Sequence, residues 1–128
     1  MSYKIHKDIL GFETTTDVEI HKVDDLFSTM IDKSNDKISF TLVNPYALRE
    51  YSFDVPTDAK ILLEITNESK LEVYNVVVIQ NPLEKSTVNF LAPILVNLDN
   101  NKLAQIILDP KKHPDFGMAE SVESFREQ

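Results

Sequence analysis

Two apolar, β-branched runs on either side of a polar turn constrain this chain more than any other feature. They are Thr87-Val88-Asn89-Phe90-Leu91-Ala92-Pro93-Ile94-Leu95-Val96-Asn97 and Leu103-Ala104-Gln105-Ile106-Ile107-Leu108-Asp109, joined by Leu98-Asp99-Asn100-Asn101-Lys102. Asn and Asp tolerate left-handed backbone, so the linker reads as a hairpin turn. Pro93 sits inside the first run and has no amide hydrogen, so its position must be a sheet edge, a bulge or a bend. A strand bent there and closed back on itself suits a small barrel better than a flat sheet.

The rest of the chain repeats the β signature. Tyr3, Ile5, Ile9, Leu10 and Phe12 open it as one or two short strands, with a turn or bulge at Gly11. Val18 to Val23 alternates apolar and polar, as a half-buried strand does. Asp24 then reads as the N-cap of a short helical turn carrying Leu26, Phe27, Met30 and Ile31. Lys37 to Val43 is a strand stopped by Asn44-Pro45, since proline biases the residue before it away from helical backbone. Arg49 to Val55 alternates again, with Tyr51, Phe53 and Val55 on one face.

Thr57 can cap a helix over about Asp58 to Ile65, with Ala59, Leu62, Leu63 and Ile65 as its apolar stripe; a strand through Ile61, Leu63 and Ile65 competes. Asn67 to Lys70 is a turn. Leu71 to Ile79 is the most β-prone run, apolar on both faces in its second half, and so a central buried strand. Asn81-Pro82 opens a loop. The pattern gives an all-β fold, a mainly antiparallel small barrel with two or three short helices. It occupies residues 1–109 as one domain, followed by a tail over 110–128 that can form a short helix from Met118.

Composition narrows the function. The 128 residues contain no cysteine, which excludes disulfides, thiol catalysis and zinc–thiolate sites. No apolar run reaches the roughly 20 residues that span a bilayer, and the N-terminus lacks a signal-peptide core, so a cytoplasmic protein with no membrane contact is expected. Lys plus Arg total 13 against 21 Asp plus Glu, a formal charge of −8. That disfavours direct nucleic-acid binding, which needs cations to displace phosphate counterions, and favours a soluble monomer and a basic partner.

No enzyme signature is present. With Gly11 and Gly117 as the two glycines, neither a phosphate-binding loop nor a dinucleotide fingerprint can form. No G-x-S-x-G elbow occurs. His6, His21 and His113 lack ligand spacing, so no metal and no cofactor is expected. Asp24 and Asp25 are adjacent and diverge, which suits a cap rather than an acid/base pair. Asn67-Glu68-Ser69 matches a glycosylation acceptor outside any secretory context. Tyr46, Tyr51, Phe53, Tyr74 and Phe90 could form a stacking platform for single strands, but no basic groove accompanies them and strand aromatics are more often core. A binding module remains, working through edge strands or apolar rims.

Several stretches together resemble the flagellar assembly factor FliW family. They are Ile9-Leu10-Gly11-Phe12, Phe40-Thr41-Leu42-Val43-Asn44-Pro45-Tyr46, Val76-Val77-Val78-Ile79, Thr87-Val88-Asn89-Phe90-Leu91-Ala92-Pro93-Ile94 and Ala104-Gln105-Ile106-Ile107-Leu108. The resemblance spans Ile9 to Asp109; the segment from Pro110 is longer and less typical. It implies a compact barrel in the bacterial cytoplasm that binds flagellin before export. It also implies capture of the CsrA-type translational repressor, which relieves repression of flagellin translation. Asn44, Pro45, Tyr46, Asn89, Ala92 and Pro93 match the family pattern and fall at corners, where they either fix the barrel's bends or receive a partner segment. The alternative is a small ligand-binding or structural interaction barrel with no flagellar role.

Overall fold

The computed structural model describes residues 2–7, 9, 13–78, 85–117 and 120–121. Alternating inward and outward side chains drive four strands into an antiparallel meander: β1 (Ser2–Lys7), β2 (Asp17–Lys22), β3 (Phe27–Asp32) and β4 (Ser39–Val43). A one-turn 3-10 helix at Pro45–Ala47 and the helix α1 (Thr57–Leu62) lead to β5 (Leu71–Val78). Then follow β6 (Thr87–Val88), β7 (Ile94–Asn97), β8 (Lys102–Gln105) and β9 (Glu120–Ser121).

Two pairings close the ring. β4 meets β5 antiparallel through Thr41↔Val77, Leu42↔Val76 and Val43↔Asn75. β8 meets β1 in parallel, through Lys4↔Lys102 and Ile5↔Leu103. The order β4-β3-β2-β1-β8-β7-β5 therefore returns to β4, a closed barrel of seven strands, as the all-β expectation required. β6 and β9 extend the sheet beyond the far end of β5.

The interior holds Tyr3, Ile9, Val18, Met30, Phe40, Leu42, Ile94, Val96 and Leu103. Tyr74 and Val76 of β5 pack on that cluster, while Val73 and Val77 pack on two others outside it. β5 is thus covered on both faces over its central part, which is why its sequence runs apolar without alternation. The outer clusters bury Leu63, Leu95, Ala104 and Ile106 with Ala59 of α1, and Tyr51, Val88 and Phe90 against Leu48, Phe53 and Phe116.

Several expectations change. No helical turn follows Asp24: the Asp24 carboxylate accepts from the Leu26 and Phe27 amides at 2.9 and 2.7 Å and makes a tight turn into β3. These bonds hold its carboxyl below the usual carboxylate range. β3 alternates with Ser28, Met30 and Asp32 inward, and the two polar residues disguise the strand. Asp32 is satisfied inside by the Thr15 hydroxyl at 2.9 Å and the Ser34 amide at 2.8 Å. Tyr51 to Val55 do turn one face inward but join no ladder.

The helix starts at Thr57, with Pro56 as N-cap and no side-chain cap bond, and stops at Leu62. Glu64, at φ 55°, is in left-handed backbone that ends it, and no strand forms through Ile61 to Ile65. The first apolar run is broken by a turn at Phe90-Leu91-Ala92 into β6 and β7, and the second leaves the ladder after Gln105. Two backbone bonds still tie them: Ile106 N–H to the Pro93 carbonyl at 2.9 Å and Leu108 N–H to the Leu91 carbonyl at 2.7 Å. α1 and the 3-10 turn are the helices among the described residues.

The hairpin turn forms as expected, with Asn101 at φ 58°. Its Asn97 and Asn100 amides both donate to the Leu63 carbonyl, at 2.8 and 2.9 Å, and so satisfy the end of α1. The turn at Gly11 and the Asn81-Pro82 loop lie outside the described residues. So does the helix from Met118, apart from Glu120 and Ser121, which are strand.

The described residues from His113 to Phe116 lie against the barrel. The Phe116 ring is 4.7 Å from Tyr51 and stacks on His113 at 5.2 Å. Arg49 lies over Phe116 and Phe90 and pairs with Glu120 at 3.3 Å.

Candidate functional site

β4 ends at Val43, where Asn44-Pro45 turns the chain away, but β5 begins four residues before its pairing with β4 starts. Leu71 to Tyr74 pair with β7 on one side and with no described strand on the other. The barrel wall splays open there. The result is an open cleft of about 710 Å³.

One wall is β5 from Leu71 to Tyr74, with Phe53 and Val55 beyond it. The other is built from Lys22, Asp24, Asp25, Ser28, Asn44 and Tyr46, and Tyr3 and Ile20 also line it. Aromatic and aliphatic surface is therefore rimmed by three acids and one lysine. Lys22 Nζ lies 3.6 Å from Asp25.

Tyrosines dominate the chemistry. The Tyr74 hydroxyl donates to Glu72 Oε2. Burial, then this bond and the Glu72 charge, push the Tyr74 phenol well up. Burial and then Glu72 raise Tyr3 as well, and burial raises Tyr46. Tyr51 is pushed up to about 12 by burial, against the opposing bond from Asn75. All four phenols stay protonated at neutral pH, and those of Tyr74 and Tyr51 donate hydrogen bonds, to Glu72 and to the Phe90 carbonyl.

The six corner residues separate. Asn44 Oδ1 accepts from the Tyr46 amide at 3.1 Å and caps the 3-10 turn, and Pro45 is buried at its first position. Tyr46 is 55% exposed, with its ring 6.3 Å from Tyr51. Asn44 and Tyr46 line the cleft. Asn89, Ala92 and Pro93 do not. Asn89 Oδ1 accepts from the Leu91 amide at 3.0 Å, and the carbonyl of Ala92, itself 3% exposed, accepts from Gln105 Nε2 at 3.1 Å.

Of the five aromatics weighed as a stacking platform and set aside, Tyr46, Tyr51, Phe53 and Tyr74 border the cleft, whereas Phe90 is fully buried. Sequence reasoning missed Ser28, Glu72 and Lys22, which carry no signal until the strands are placed. His21 is exposed with Nε2 3.5 Å from Glu19, and His113 stacks on Phe116, so these two do not converge. Among the described residues no group of three or more His, Asp or Glu is placed to hold a metal. No described helix is long and apolar enough to cross a membrane.

A small barrel, closed by one parallel pairing and open along one strand edge, is the class of protein these features define. Comparison with known proteins makes it specific. The family model described as FliW protein matches residues 2–120, and the chain belongs to that family. It is 42% identical over 125 residues to flagellar assembly factor FliW 2 of Wolinella succinogenes, covering 98% of this chain and 92% of that protein. It is 45% identical over 125 residues to flagellar assembly factor FliW 1 of the same organism, covering 98% of each. A crystal structure of the flagellar assembly factor FliW superposes with a TM-score of 0.84 over 94% of this chain and 84% of that one. At 20% identity that likeness speaks to the fold.

Proposed function

We propose that this protein acts in flagellar assembly, in the cytoplasm, as a binding protein rather than an enzyme. It holds flagellin before export. When flagellin is scarce it captures the CsrA-type repressor and relieves repression of flagellin translation. The observation that carries this reading is membership of the FliW family over residues 2–120, with relatives called flagellar assembly factors along nearly their whole length. The charge balance supports it. A repressor that binds RNA carries basic surface, and a protein at −8 attracts such a surface while repelling RNA phosphate.

The test is a titration with purified flagellin, with and without the repressor. Both are expected to bind, and flagellin is expected to displace the repressor. Failure of both to bind would overturn the reading. Raising salt should also slow repressor association, and an on-rate insensitive to salt would remove the electrostatic part.

A further inference from the structure

We propose that the cleft receives an extended, cationic segment of another protein, which adds as a strand to the open edge of β5 at Leu71 to Tyr74. This stands apart from which protein supplies the segment.

The backbone gives the first argument. In an antiparallel ladder alternate residues direct their N–H and C=O groups to opposite sides. Leu71 to Tyr74 use one side for β7. Half of their backbone groups therefore face the cleft, where no described strand pairs with them. An open edge of this kind is a template for an added strand.

The lining gives the second. Tyr3, Ile20 and Tyr74 offer apolar surface beside the edge. Ser28 also lines the cleft and offers a hydroxyl there. A polar side chain on a guest strand would engage the Ser28 hydroxyl.

Charge selects the guest. Asp24, Asp25 and Glu72 line the cleft against one lysine, Lys22, which lies 3.6 Å from Asp25, so the lining carries an excess of negative charge that attracts a cation. Lys or Arg on the guest would meet them, whereas nucleic-acid phosphate would be repelled. A second copy of this chain is also disfavoured, because β5 against β5 would bring the same acids together in a protein already at −8.

The probe is a short capped peptide alternating valine with lysine, titrated into the full chain. Two further versions carry N-methyl groups, on the valine amides in one and on the lysine amides in the other. Strand addition uses one set of amides only, so one version should lose about tenfold or more in affinity while the other binds like the parent. Amide hydrogen exchange at residues 71–74 should slow on binding. Glu72→Gln with Asp24→Asn should weaken the parent peptide about tenfold.

Equal binding of the two methylated versions would overturn the proposal. So would exchange protection elsewhere than 71–74, no binding of the parent peptide, or concentration-dependent protection of 71–74 without peptide, which would mark a second copy as the occupant.

Discussion

The corner at Asn44-Pro45-Tyr46 and the corner at Asn89 to Pro93 are made from the same parts. Each has an Asn whose Oδ1 accepts from the backbone amide two residues on, at 3.1 Å for Asn44 and 3.0 Å for Asn89. Each has a buried proline. Around Asn89 every following residue to Asn97 is buried, and Phe90 is wholly so. After Pro45, in contrast, Tyr46 stands out into the cleft mouth. Identical turn chemistry thus serves packing at one corner and surface at the other. What decides is where each corner falls relative to the neighbouring strand. Tyr51 links the two, with its ring 5.6 Å from Phe90 and 6.3 Å from Tyr46.

Substitutions should separate the corners in order of size. Phe90→Ala empties a fully buried ring site and should cost about 3–5 kcal/mol, read as a fall in the urea midpoint. An effect below about 1 kcal/mol would mean the inner corner is not a packing site.

Next is pH. Tyr51 has a folded pKa raised above its unfolded value of 10.0 to about 12. Its contribution is full below pH 10 and is lost as pH rises through 12, by about 3 kcal/mol at most. Tyr3, Tyr46 and Tyr74 shift in the same direction. Tyr51→Phe should therefore flatten part of the alkaline fall. It should also lower stability at neutral pH by about 1–2 kcal/mol, since the Tyr51 hydroxyl donates to the Phe90 carbonyl at 2.5 Å.

Asn89→Ala should cost about 1 kcal/mol and leave partner affinity unchanged once folded. Retained stability with lost binding would reverse the assignment of that corner. Smallest in stability is Tyr46→Ala, expected within about 0.5 kcal/mol of the parent because the ring is mostly exposed. Its effect should fall on partner affinity instead, and unchanged affinity would take the outer corner out of the site.

Local pattern carried the strands whose apolar residues match the surfaces they meet. β2, β4, β5 and the β7–β8 turn were legible because their alternation or continuous apolar character matches their surroundings. β3 was not, because polar Ser28 and Asp32 point inward, and Asp32 is satisfied by Thr15, a group distant in sequence. At Tyr51 to Val55 alternation reported which side chains face in, but ladder bonds need a neighbour that the sequence does not specify. The cleft was illegible for a related reason. It exists because β4 stops at Val43 while β5 reaches back to Leu71, an offset between two strands and a property of neither alone. The turn roles of Asn44 and Asn89 could be anticipated from residue type; which of them meets solvent could not.

The parallel seam between β1 and β8 has a consequence for how the molecule is made. Lys4 is paired with Lys102, so nearly the whole ring must leave the ribosome before its first strand gains its second neighbour. Until then the β1–β4 meander emerges with β1 unpaired on its outer side, a template for stray association during synthesis. Closure over so long a stretch of chain is also slow, because the entropy of bringing distant segments together is lost before the contact rewards it. The vulnerable interval in this protein's synthesis is therefore the one before β8 emerges, when the chain has most of a barrel and no seam.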